Sequence, residues 1–190
     1  MRFTTYVLTV LALAGCSTGG SNSGTLSRSA QAADLEETLS ATNITNPATL
    51  PTTGSTTYQG FMTAGLPTGA GGARTEYLGD LTMNVDFAAS RDQVTGTARN
   101  FAAGNDQLTG VLIIRQGDLF RNTNTSQNFT FTGDVNGTLK QGVSAFVIDA
   151  EIAGEFRGRD QEGVSGLLFG DVTGPAGQDI FDGTFFAATP

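Results

Sequence analysis

The feature that most constrains this chain is a repeated pattern near its C-terminus, in the stretch Ser144 to Ala188. Three segments follow one another there, each alternating apolar with polar side chains and each holding a glycine near its middle. Phe146, Ile148, Ile152 and Phe156 alternate with Asp149, Glu151 and Glu155; Val164, Leu168 and Val172 share the next face; Phe181 and Phe185 share the last. A period of two is the signature of a strand with one buried face.

The same grammar runs upstream. Tyr58, Gly60 and Met62 share a face. From Glu76 to Phe87 the residues Tyr77, Leu81, Met83, Val85 and Phe87 point one way and the polar residues the other, with Leu78 as the exception. Gln93 to Phe101 and Leu108 to Arg115 form two more strands, with a turn at Asn105-Asp106 between them. A break is expected at Gln116-Gly117-Asp118, after which Leu119-Phe120 makes a ribbon or the end of a longer hairpin. In Asn128 to Leu139, the residues Phe129, Phe131, Val135 and Leu139 face in and Asn128, Thr130 and Thr132 face out. The count is eight strands with one extra ribbon.

Glycine decides how those strands close. The chain holds 26 glycines, and Gly79, Gly110, Gly133, Gly137, Gly154, Gly166, Gly170 and Gly183 fall in the phase of the inward apolar residues. Glycine inside a strand costs stability. A small closed barrel supplies the reason, since its interior admits only so many large side chains and its strands must coil sharply. Closure also removes exposed edges. With a single cysteine the chain can form no intrachain disulfide. The fold expected is therefore all-β, a soluble eight-stranded antiparallel up-and-down β-barrel with a flexible N-terminal tether. Large Phe, Leu and Ile on the apolar face and repeated carboxylates on the other favour a filled core over a membrane-spanning barrel with a polar lumen.

The N-terminal part reads differently. Residues 1–15, MRFTTYVLTVLALAG, place Arg2 before an apolar run too short to span a bilayer. Leu13-Ala14-Gly15-Cys16 resembles the bacterial lipoprotein signal, which makes Cys16 the lipidated first residue of the mature protein. Ser17 after it, where Asp would resemble an inner-membrane retention signal, favours the outer membrane. Residues 16–55 are then an anchor, a Gly/Ser-rich tether to about Ser29, and a short helix over Ala30 to Ala41 capped by Ser29, with Leu35 and Leu39 on one side. Pro47 and Pro51 argue against regular structure between Thr42 and Thr57. Residues 56–190 are the barrel.

Composition narrows the chemistry. A formal net charge of −8, from 18 acidic and 10 basic residues without a basic cluster, excludes nucleic acid as a partner. Histidine is absent, which removes the usual triads and the commonest metal ligand. No catalytic residue, metal ligand or cofactor is assigned. Asp149, Glu151 and Glu155, with Asp160 and Glu162, are read as a solvated face because their spacing follows a strand and does not wrap a calcium loop.

The block Tyr77-Leu78-Gly79-Asp80-Leu81 to Phe87, then Val94 to Thr97, Leu108-Thr109-Gly110, Gly154 to Gly158, Glu162 to Gly166 and Phe181 to Ala187, resembles the barrel domain of the transferrin-binding protein B-like surface lipoproteins. The resemblance implies an outer-membrane, lipid-anchored barrel facing the periplasm or the exterior. It would bind an external protein, such as a host or environmental protein, or a haem-type solute through its barrel-end loops, in iron or haem acquisition. Larger members have two lobes, each with a barrel and a handle; one barrel is read here, and no ligand-contact residue is carried over. The loops expected to serve are Gly65–Thr75 and Arg115–Gln127. The alternative is a structural or assembly lipoprotein of the envelope with no exported ligand.

Overall fold

The computed structural model describes residues 27–68 and 73–190. The leader, Cys16, most of the tether and the Gly69–Gly72 loop segment lie outside them. The described residues form a helix α1 (Arg28–Ala41), a 3-10 turn (Pro47–Thr49) and nine strands: β1 (Ser55–Leu66), β2 (Thr75–Asp86), β3 (Val94–Ala103), β4 (Asp106–Gln107), β5 (Thr109–Leu119), β6 (Phe131–Gln141), β7 (Ser144–Arg157), β8 (Gly163–Gly174) and β9 (Gly177–Ala188). β4 is a two-residue ribbon beside β3. The other strands pair antiparallel in chain order, and β1 closes on β9, giving an eight-stranded up-and-down barrel.

The interior is packed solid. Tyr58, Met62, Leu66, Met83, Leu112, Phe131, Val135, Phe156, Phe181 and Phe185 are all within 1% of complete burial. Inward glycines sit opposite large neighbours across the ladder, as in Met62↔Gly79, Leu112↔Gly137 and Leu168↔Gly183. The clearest row crosses four strands as Phe131–Gly154–Gly166–Phe185. Its two glycines leave a trough that the two rings fill, with centroids 6.0 Å apart and planes tilted by 53°. Phe156 then packs against Phe131, centroids 5.3 Å apart and planes tilted by 57°, and reaches Phe87 and Tyr58 toward the barrel end. The Tyr58 hydroxyl donates to the Gln161 carbonyl at 2.9 Å. Burial, and secondarily the charge of Glu162, hold that phenol well above the usual range.

Several local expectations are corrected. The helix starts two residues early, inside the expected tether, because Ser27 and not Ser29 caps it, accepting from the Ala30 amide at 3.2 Å. β5 does not break at Gln116-Gly117. It carries a bulge there, where Gln116 adopts φ of 54°, and its amide is taken up by the Asp92 carboxylate at 3.0 Å. β6 starts at Phe131, so Phe129 lies outside the barrel and Thr130 is buried, bonding the Gly154 carbonyl. Leu78 faces outward as expected, and the structure supplies its partner. α1 lies on the outer wall, where Ala32 and Leu39 are buried with Phe186 and packed by Leu35, Phe61 and Leu78.

Past α1 the chain runs beside the end of β7, with Thr45 donating to the Phe156 carbonyl and Gly158 to the Asn43 carbonyl, each at 2.9 Å. It then crosses the barrel end and tucks Leu50 into the core. Substituting Gly154 by alanine puts a Cβ 2.5 Å from the Phe185 ring and 2.7 Å from that of Phe131. Overpacking of this kind costs about 1–3 kcal/mol, which urea denaturation of G154A beside the unsubstituted protein will show as a lower midpoint at unchanged slope.

Candidate functional site

A filled interior leaves only the outside for binding. The two ends of the barrel differ. One end has short connections, including the turns at Gly142-Val143 and Pro175-Ala176, together with the 67–74 loop. The other receives the crossing segment 42–54 and the loops 87–93, 120–130 and 158–162. The two loops expected from sequence to serve in binding, Gly65–Thr75 and Arg115–Gln127, therefore lie at opposite ends. Much of each is strand: Gly65 and Leu66 belong to β1, and Arg115 to Leu119 belong to β5.

The long loop 120–130 is built around Asn124. Its carbonyl accepts from the amides of Gln127 and Asn128 at 2.9 Å, and its side chain accepts from Ser126 at 3.1 Å. Phe120 donates back to the Thr130 carbonyl at 2.8 Å, closing the loop at its base. Arg121 fastens this base to the barrel end, reaching the Leu50 carbonyl at 2.7 Å and the Phe87 carbonyl at 3.0 Å. Beneath the loop is an open cavity of about 810 Å³, lined by Phe120, Arg121, Asn128, Phe129 and neighbouring polar residues. Phe120 is 42% exposed there.

Phe129 also forms one wall of a second cleft, of about 250 Å³, between α1 and the barrel wall. At its base is Glu155. Sequence placed Glu155 on a solvated face with Asp149 and Glu151; those two are exposed, but Glu155 is only 8% exposed. The cause is tertiary. Across the strands Glu155 pairs with Ser165 and Ser165 with Phe186, and α1 covers Phe186. Nothing local in the sequence marks this; the clue available was the row of outward apolar residues, Phe61, Leu78 and Phe186, that signals a covered strip of wall. Arg157 approaches the Glu155 carboxylate at 3.7 Å but hydrogen-bonds elsewhere, to the Ser165 hydroxyl at 2.9 Å and the Thr42 carbonyl at 3.4 Å. Burial pushes the Glu155 carboxyl above its ordinary range, and Arg157 offsets only part of that.

Among the described residues no group of three or more Asp, Glu, Cys or His side chains is placed to hold a metal. Cys16 lies outside the described residues. The fold defines a class, the closed eight-stranded up-and-down barrel with a packed interior and one long loop folded over a cavity. No family model and no curated protein matches the chain.

Two outcomes follow. Replacing Arg121 by alanine leaves two carbonyls at the barrel end without a charged donor, each such bond being worth about 1.5–3 kcal/mol. R121A will have a lower unfolding midpoint and faster limited proteolysis within 120–130. For Glu155, the raised folded value means that the fold disfavours the ionised form. The cost is absent below the ordinary value of 4.5 and complete above the folded value. Glu155→Gln will therefore raise the unfolding midpoint at pH 7.5, and the gain will close as pH falls through this window.

Proposed function

We propose that the chain is a lipid-anchored outer-membrane binding protein that holds a protein partner at the barrel end carrying loop 120–130. The observation that carries this reading is the cavity under that loop, with Phe120 exposed at its rim. An exposed aromatic beside a pocket, with a polar surround, is how protein-binding anchors are commonly built. The packed core supports a surface contact over carriage of a solute inside the barrel. The Cys16 motif and the resemblance to transferrin-binding protein B-like lipoproteins support the anchor and the envelope location.

A protein is favoured over a haem-type solute by the chemistry of iron ligation. Haem iron takes His, Cys, Met or Tyr. The chain has no histidine, its cysteine is the proposed anchor, and among the described residues the methionines and tyrosines, Met62, Met83, Tyr58 and Tyr77, are within 1% of complete burial.

Two experiments test the reading in cells. Labelled palmitate will enter the native chain and not a Cys16→Ser variant; equal labelling of both would remove the anchor. A photo-crosslinking amino acid at position 120 will trap one discrete protein adduct, whereas the same probe at Val143, fully exposed at the opposite end, will not. Identical adducts from both positions, or none from 120, would overturn binding through this loop and leave an envelope-assembly role as the better account.

A further inference from the structure

Four polar or charged side chains are buried among the described residues: Thr45, Thr63, Thr130 and Glu155. The three threonines are hydrogen-bonded, to the Gly158 carbonyl, the Thr184 hydroxyl and the Gly154 carbonyl respectively. Glu155 is different in kind. Its carboxylate has one ion contact, with Arg157 Nη2 at 3.7 Å, beyond hydrogen-bonding length, while Arg157 Nε and Nη1 donate to Ser165 and Thr42. A carboxylate largely withdrawn from water and held by one long ion contact, with no hydrogen-bond donor from the chain, keeps part of its desolvation cost. It faces a cleft of about 250 Å³ whose walls are Leu39, Phe129, Leu167 and Phe186, with Glu36 and Ser40 of α1 contributing further acceptor oxygens.

We propose that this cleft is a binding site for a primary ammonium group carried on an apolar stem. An ammonium supplies three N–H donors from a compact cation, which Glu155 lacks. The apolar walls accept methylene groups, and aromatic faces attract such a cation at close range. A planar guanidinium is a poorer match, since Arg157 already occupies the flank from which a bidentate contact would come. The cleft volume suits a short alkylamine or the end of a lysine side chain. The lysine source rests on the protein-binding reading above, because Phe129 is shared between the cleft and the loop cavity; the free amine does not.

The test is titration of the isotope-labelled full chain with n-butylammonium chloride, followed by amide NMR, with 1-butanol as the uncharged control. Saturable shifts centred on Phe129, Glu155 and Ser165 are expected with the ammonium and not with the alcohol. Glu155→Gln should weaken binding roughly ten-fold or more. Ser40→Trp, which fills the mouth from the helix and leaves Glu155 in place, should also abolish it. Thermal melts of both variants verify that they fold. Acetyl-lysine amide, whose only amine is the side-chain ammonium, distinguishes the sources: binding like that of butylammonium assigns the site to lysine side chains, and exclusion assigns it to small amines. No saturable shift with either amine, or unchanged affinity in Glu155→Gln, would overturn the proposal. The crosslinking result at position 120 would be unaffected, so the two readings fail independently.

Discussion

The pairing of glycine with large side chains inside the closed barrel is the constraint on which the rest depends. Eight strands leave an interior just wide enough for side chains to fill. Two large residues facing each other across every ladder position would not fit. The chain resolves this row by row: Phe131 and Phe185 meet over Gly154 and Gly166, and the Phe101 ring lies on Gly79, where a Cβ would sit 2.5 Å away. Each glycine loses the conformational entropy of a strand residue without burying a side chain, and the ring beside it supplies the dispersion contacts instead. With no disulfide within reach, that core and the closed ladder hold the domain. A core so filled has no lumen to offer a ligand, and binding chemistry is displaced to the wall and the ends.

The wall and the ends are shaped by segments that the barrel does not need for closure. α1 shields an outward apolar strip, the segment after it runs along β7 and inserts Leu50, and Arg121 ties that insertion to loop 120–130. The bulge at Gln116-Gly117 lets β5 continue to Leu119 in spite of the extra residues. The opposite end is closed by tight turns in which Gly142 and Gly177 take positive φ, of 59° and 113°. A polarity follows: apart from the 67–74 loop, one end has short turns, and the other carries the long loop 120–130, the crossing segment and the two cavities that share Phe129.

This division explains what the sequence could disclose. Alternation separates the inside of a strand from its outside, so the inward set from Tyr58 to Phe185 and the glycines among it were legible. So was the helix near residues 30–41. Alternation does not say which outward residues a distant segment will cover. Leu78 showed itself as an exception without revealing its partner. Glu155 showed nothing, being one more carboxylate in phase with Asp149 and Glu151; its burial comes from α1, more than 100 residues away in sequence. Phe129 misled because it stands in phase with Phe131, yet the strand starts only after it. The two loops named from sequence lie at opposite ends because successive connections of an up-and-down barrel alternate between ends, and these are the first and the fourth connections between barrel strands.

Glu155 is where the structure departs from its own economy of polar burial. A methionine or glutamine at this position would remove the desolvation cost of the carboxylate, and replacing buried ionic groups by apolar ones is often neutral or stabilising. Nor does Arg157 require Glu155, since Ser165 and Thr42 already receive its hydrogen bonds. The carboxylate thus contributes little that the fold uses, while burial penalises its charge. Local departures of this sort concentrate at functional sites, where the missing partner comes from outside the chain. On that reasoning the cleft under α1 is the place where stability is given up for recognition, and the hydrogen-bond donors that the distant Arg157 contact does not supply are the chemical identity of what it recognises.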